Sequence, residues 1–139
     1  MTVYVAAPWT HKADAKTYAD ALEAGGHTIT KKWWEHREVP GYLTSTITPG
    51  NRIELETQAA EDIGGVLTAE AFVLLNFEKS EGKAVETGIA LLSALLRASG
   101  TLSADPQIFV IVGGQSNLFH YVDVWKTADS PADVLAILA

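Results

Sequence analysis

The sequence predicts an α/β domain built on one parallel sheet of five strands, with helices on both faces. Three observations predict it. Short, wholly apolar runs such as Val3 to Ala7 and Ala71 to Leu75 have the pattern of strands buried on both sides, not the alternation of a half-exposed sheet. Segments with helical spacing fall between these runs, so strand and helix alternate along the chain. The 139 residues suit a single domain, 1–139, and no repeat, low-complexity tract or linker divides them.

The elements follow in order. Val3 to Ala7, closed by Pro8, is the expected central strand. Lys12 to Ala24 carries Ala15, Tyr18, Ala19 and Leu22 at helical spacing, and Gly25-Gly26 stops it. His27 to Thr30 is a brief second strand. Lys31 to Gly50 has no sustained period and reads as a long loop, which in a compact domain is usually functional or mobile. Asn51 is the expected cap of a helix reaching Leu67, with Leu55, Ala59, Ile63, Val66 and Leu67 facing inward. Ala71 to Leu75 is the third strand. Ser80 to Gly82 introduce a helix from Lys83 to Arg97 whose expected inner stripe is Val85, Ile89, Leu92 and Leu96. Gln107 to Val112 is a fourth strand ending at Gly113-Gly114, Tyr121 to Trp125 a fifth, and Pro131 to Leu138 a closing helix. The result is a doubly wound, flavodoxin-like sheet with strand order 2-1-3-4-5. Such sheets bind ligands beyond the carboxyl ends of their strands, where the order reverses. That point lies between the first and third strands, at the loops Ala6 to His11 and Asn76 to Glu86.

Composition narrows the function classes. Ten Lys and Arg against 17 Asp and Glu leave a net charge of −7, which argues against a nucleic-acid polymer as partner, because phosphates need a basic face. Cysteine is absent, so disulfides, thiolate zinc sites and Cys nucleophiles are excluded together. That absence fits a reducing cytoplasm. The first residues lack the basic and long apolar stretches of a leader, and no apolar run is long enough for a bilayer, so a soluble, unprocessed protein without a membrane partner is expected.

Several residues sit oddly for structure alone. Asp62 falls on the expected buried stripe with Leu55, Ala59 and Val66, where a carboxylate needs either satisfying donors or a chemical task. Glu86 lies among Gly82, Gly88 and Ala90, small residues that open space beside it; as an isolated feature it reads first as an exposed helix glutamate. Gly113 to Asn117 follow the fourth strand and either present polar groups to a ligand or simply turn the chain. Trp9, Trp33 and Trp34 either stack on a flat ring or pack over the sheet edge. Neither a dinucleotide-binding glycine motif nor a phosphate-loop motif is present. His11, His27, His36 and His120 lack ligand spacing, so no metal is expected.

Four stretches together resemble the nucleoside 2-deoxyribosyltransferase family, including its relatives that hydrolyse 2'-deoxynucleoside 5'-monophosphates. They are Val3 to Trp9, Glu61-Asp62 with Ala69 to Val73, Ser80-x-Gly82-x-x-x-Glu86-x-Gly88-x-Ala90, and Ser116-Asn117. The resemblance implies a double displacement at the anomeric carbon of a 2'-deoxyribose, the scheme of retaining glycosidases. Glu86 matches the nucleophile, Asp62 the acid that handles the base proton, and Tyr4 the tyrosine that orients the nucleophile. Ala7, Pro8, Trp9, Ser80, Gly82, Ser116 and Asn117 match substrate-binding positions.

The implied reaction needs no cofactor. Its implied partners are a nucleoside or nucleotide and a free nucleobase, and the implied assembly is a homodimer or higher homo-oligomer with Ser116 and Asn117 offered across the interface. The acceptor stays open between a second base and water. The Ala7-Pro8-Trp9 turn is of the transferase type, whereas Ser80 is of the monophosphate-hydrolase type. The first-loop arginine of those hydrolases is absent, and Leu135 to Ala139 end the chain without the C-terminal carboxylate arrangement of the transferases. From another class, a non-catalytic nucleoside or nucleotide sensor would use the same cleft without breaking the glycosidic bond.

Overall fold

The structure, a computed structural model, describes residues 1–40, 47–101 and 107–139. Five parallel strands form one sheet in the order β2-β1-β3-β4-β5. They are β1 (Thr2–Ala6), β2 (Thr28–Ile29), β3 (Ala71–Leu75), β4 (Ile108–Val112) and β5 (Trp125–Ala128). The helices are α1 (Lys12–Ala24), α2 (Pro49–Thr68), α3 (Glu81–Ala98) and α4 (Pro131–Leu138). The expected fold and strand order are those of the molecule. The direction in which strands are added across the sheet reverses at β1, so right-handed crossovers place α1 and α2 on opposite faces. Accordingly α1 packs with α4, and α2 with α3.

Burial on both sides holds the sheet. Val3, Val5, Val73, Leu74, Val110 and Ile111 are fully buried, each stabilising the fold by roughly 1.5–3 kcal/mol. Tyr4, also fully buried, is opposite Phe72 in the β1–β3 register and stacks on it, with ring centroids 6.0 Å apart.

Three expectations are corrected. The fifth strand is Trp125–Ala128, not Tyr121 to Trp125, because Leu118–Tyr121 forms a 3-10 turn capped by the Asn117 side chain. Trp125 fixes the strand by packing edge-on against Phe109, with centroids 5.2 Å apart. Helix α2 starts earlier than Asn51. Its cap is Thr48, whose hydroxyl accepts from Asn51 N–H at 3.2 Å, and Pro49 occupies the first turn, where a missing N–H is harmless.

The faces of α2 and α3 are also rotated from the expected ones. On α2 the buried residues are Gly65 and Val66, while Ala59, Ile63 and Leu67 are exposed and Leu55 is half-buried. On α3 the buried residues are Lys83, Thr87, Ala90 and Ser93. Val85 and Leu92 point to solvent, and Ile89 and Leu96 are half-buried. Small residues win the inner face because they let the helices approach the sheet closely. A Cβ on Gly65 would lie 2.7 Å from Lys31 Cβ and 3.0 Å from the Tyr4 ring.

Candidate active site

The site forms where β1 and β3 part, at their carboxyl ends. Tyr4 sits mid-strand in β1 with its ring in the core, and its phenol points toward α3. There its O–H donates to Glu86 Oε1 at 2.8 Å. Glu86 is on the second turn of α3, too far from the helix start for the dipole to hold its charge. Burial pushes its carboxyl up to about 8, Asp62 adds to the rise, and the Tyr4 hydrogen bond opposes it. The Tyr4 phenol is itself pushed far above its ordinary range, first by burial and then by the Glu86 charge. Tyr4 therefore stays a donor at any working pH.

Asp62 reaches the same place from α2. Its side chain is 25% exposed, so it is not the buried carboxylate its helix position suggests. Its partner is His36, whose Nε2 lies 2.9 Å from Asp62 Oδ1. His36 follows a 3-10 turn, Trp33–Glu35, inside the long loop. Sequence reasoning missed it, because a lone histidine in an aperiodic loop carries no local signal. Gly65, one turn after Asp62, is what lets α2 lie against the Tyr4 ring.

Aromatic rings border the site on the β1 side. The Trp33 indole N–H donates to the Val5 carbonyl at 2.7 Å, which pins the loop to the strand end. Trp9, 40% exposed, lies 6.0 Å from Trp33 in a short 3-10 turn after Ala7 and Pro8. Trp33 itself is buried, so the three indoles divide between packing and exposure. Thr10 hydrogen-bonds Glu78, which ties the loop after β1 to the loop after β3.

The remaining sequence-predicted residues gather elsewhere. Ser80 caps α3, its Oγ accepting from Lys83 N–H at 3.4 Å, and Gly82 is exposed in the first turn. Ser116 and Asn117 lie after β4 and, with Ser80, line a pocket of about 440 Å³ between the loops after β3 and β4. None of Tyr4, Asp62, Glu86 or Trp9 is in its wall. The structure thus brings Tyr4, Glu86 and Asp62 together and sets Ser80, Ser116 and Asn117 on the other flank of the α3 N-terminus.

No protein-family model and no curated protein matches the chain. Among solved structures it is similar to the CMP N-glycosidase BcmB of Clostridium botulinum, with a TM-score of 0.56 and 12% identity over 99% of this chain and 98% of that one. The fold is shared.

Within that fold the arrangement can do defined chemistry. A carboxylate with one oxygen bonded to a phenol keeps its other oxygen for an electrophile. A second carboxylic group, backed by histidine, stands near it to exchange a proton. Among the described residues no group of three or more His, Cys, Asp or Glu is placed to hold a metal ion. No helix of the described residues is long and apolar enough to cross a membrane.

Proposed function

We propose that the protein cleaves the N-glycosidic bond of 2'-deoxynucleosides through a deoxyribosyl ester on Glu86 and passes the sugar to another nucleobase. The observation that carries this reading is the Tyr4–Glu86 hydrogen bond at the point where strand order reverses, with Asp62 alongside. In the first step a Glu86 oxygen bonds to C1', the C1'–N bond breaks, and its electron pair leaves with the base. The Asp62–His36 pair supplies the proton that neutralises that base. In the second step a nitrogen of the incoming base attacks C1', the ester C–O bond breaks to restore the Glu86 carboxylate, and the proton on that nitrogen returns to the Asp62–His36 pair. Trp9 and its neighbours Ala7 and Pro8 offer a surface on which a flat base can rest. The likeness to a CMP N-glycosidase supports glycosidic cleavage and gives weight to a second reading, in which a nucleoside 5'-monophosphate is the substrate and water the acceptor.

One chromatographic assay separates these. Each 2'-deoxynucleoside and 5'-monophosphate is incubated with the protein, with and without a different free base. Base release without acceptor marks a hydrolase, and a new nucleoside only with acceptor marks a transferase. An intact glycosidic bond in every mixture, with ligand bound, would leave the sensor.

We further propose that the chain works as a homodimer joined through α2 and α3. Support comes from their outer faces, where Ile53, Ile63, Leu67, Val85, Leu92 and Leu95 are 43–66% exposed on two helices that pack side by side.

A further inference from the structure

Of the Lys, Arg, Asp and Glu side chains among the described residues, Lys83 alone is buried, at 6% exposure. It stands in the first turn of α3, the end of a helix at which the dipole disfavours a cation. Its ammonium donates to Asn76 Oδ1 and to the Glu78 carbonyl oxygen, both neutral acceptors. None of the ion pairs among the described residues includes it. A buried cation at the unfavourable end of a helix, held by neutral groups, costs stability. What it holds in place is therefore the point of interest.

Asn76, directly after β3, is buried as well. The orientation of its amide is forced. An ammonium only donates, so Lys83 takes the Asn76 oxygen. The Gly114 carbonyl only accepts, so the Asn76 nitrogen faces it, at 2.7 Å. The second amide proton goes to Ser116 Oγ at 3.0 Å. Ser116 is thus an acceptor toward Asn76, and its own hydroxyl proton is left for the pocket of about 440 Å³ that it lines together with Lys83. The Ser116 backbone is fixed too, its N–H donating to Nδ1 of the buried His120 at 3.1 Å. Gly113 permits this closeness: at φ +89°, a Cβ there would lie 3.1 Å from the Asn76 carbonyl oxygen. On the other side, the Glu78 carboxylate accepts from Thr10. One chain of contacts therefore joins the loops after β1, β3 and β4, and it passes three residues before Glu86 on the same face of α3.

We propose, on the glycosidic-cleavage reading of this same site, that Asn76 and Lys83 are positioning residues that make Ser116 present a hydroxyl proton, and not a lone pair, to the bound substrate. Lys83 fixes which way the Asn76 amide faces, and the amide fixes which way the Ser116 proton points.

Asn76→Asp is the deciding variant. It keeps the size of the side chain and an oxygen for Lys83, but a carboxylate only accepts, so Ser116 turns its proton to it and away from the substrate. Wild type, Asn76→Asp, Lys83→Met, Ser116→Ala and the Asn76→Asp, Ser116→Ala double variant are compared at neutral pH. Base release from 2'-deoxynucleosides and their 5'-monophosphates, calorimetric binding of the same compounds, and thermal melting are measured. Asn76→Asp and Lys83→Met should each raise KM and weaken binding as Ser116→Ala does, by roughly tenfold, with kcat changed much less. The double variant should be no worse than either of its single variants, because both remove the same proton. A role in stability alone predicts normal KM in any variant that folds. Wild-type KM and binding in a folded Asn76→Asp or Lys83→Met, or effects that multiply in the double variant, would overturn the proposal. Where one of Asn76→Asp and Lys83→Met does not fold, the other decides; failure of both to fold marks a network that serves the fold and overturns it too. The expected binding pattern without base release from wild type would sink the cleavage reading and keep the positioning role, and base release without the pattern would do the reverse. Neither binding nor release by wild type would remove both.

Discussion

At the scale of single residues, the Glu86 carboxyl, as the proposed nucleophile, is expected to set both activity and stability. Burial holds its proton up to about 8, against an ordinary 4.5, and a nucleophile must be ionised. Base release is therefore expected to rise with pH and level off above about 8. Replacing Tyr4 by Phe removes the one contact that favours the ionised form, so the rising limb should move to still higher pH. Turnover should also fall roughly 10- to 100-fold, the size of a lost hydrogen bond to a charge. A pH–rate profile of Tyr4→Phe superimposable on wild type would contradict this role.

The stability consequence has a definite sign. Below about pH 4.5 folded and unfolded chains both hold the Glu86 proton. Between about 4.5 and 8 the unfolded chain has lost it and the folded chain has not, so stability falls as pH rises, by on the order of a few kcal/mol in all. Glu86→Gln should therefore abolish base release yet melt higher than wild type, with the gap widening from pH 5 to pH 8.5 in calorimetry. Asp62→Asn tests the partner carboxyl, with a loss of roughly 10²–10⁴ in base release expected where the leaving base needs a proton.

At the scale of elements, α2 aims Asp62 and α3 aims Glu86, and close approach decides whether they meet. Gly65→Ala inserts a methyl group against Lys31 and the Tyr4 ring, which forces α2 outward. A stability loss of about 1–3 kcal/mol is expected from such overpacking, with a drop in turnover larger than a pure stability defect explains, because Asp62 moves with the helix. Denaturant unfolding and kinetics at a temperature where the variant is folded check both. Thr48→Ala, at the cap of the same helix, should cost about 1 kcal/mol and leave turnover nearly unchanged. The contrast separates holding α2 together from holding it in place. Both elements were legible as helices from their apolar spacing, although the cap of α2 is Thr48 and not the expected Asn51. Their inner faces were not, because the hydrophobic pattern marks which side avoids water and not what covers it.

At the scale of the whole molecule, that ambiguity becomes a prediction about assembly. The apolar residues the periodicity assigns to the core, Ile63, Leu67, Val85 and Leu92, are exposed in the single chain. A second copy covering them would reconcile pattern and exposure, since a patch of this kind is unusual on a monomer. Leu92→Glu combined with Leu95→Glu should leave the fold intact, because both positions face solvent, and should halve the mass measured by sedimentation. A wild-type chain that sediments as a monomer at high concentration would refute the dimer.

What the sequence determined by itself was the alternation of strands and helices, the strand order it implies, and the end of the sheet at which a site can form. These follow from local periodicity and from the handedness of crossovers, and neither depends on distant contacts. Tyr4, Asp62 and Glu86 were legible as candidates through the order and spacing of short stretches. Only the tertiary structure decided that His36 backs Asp62, that Lys83 is buried beside a pocket without a carboxylate partner, and that Ser80, Ser116 and Asn117 stand apart from Glu86. Apart from Ser80, which is near Glu86 in the chain, those facts join residues far apart in sequence, and side chains meet across such distances only after loops close and helices rotate to the faces that let them pack.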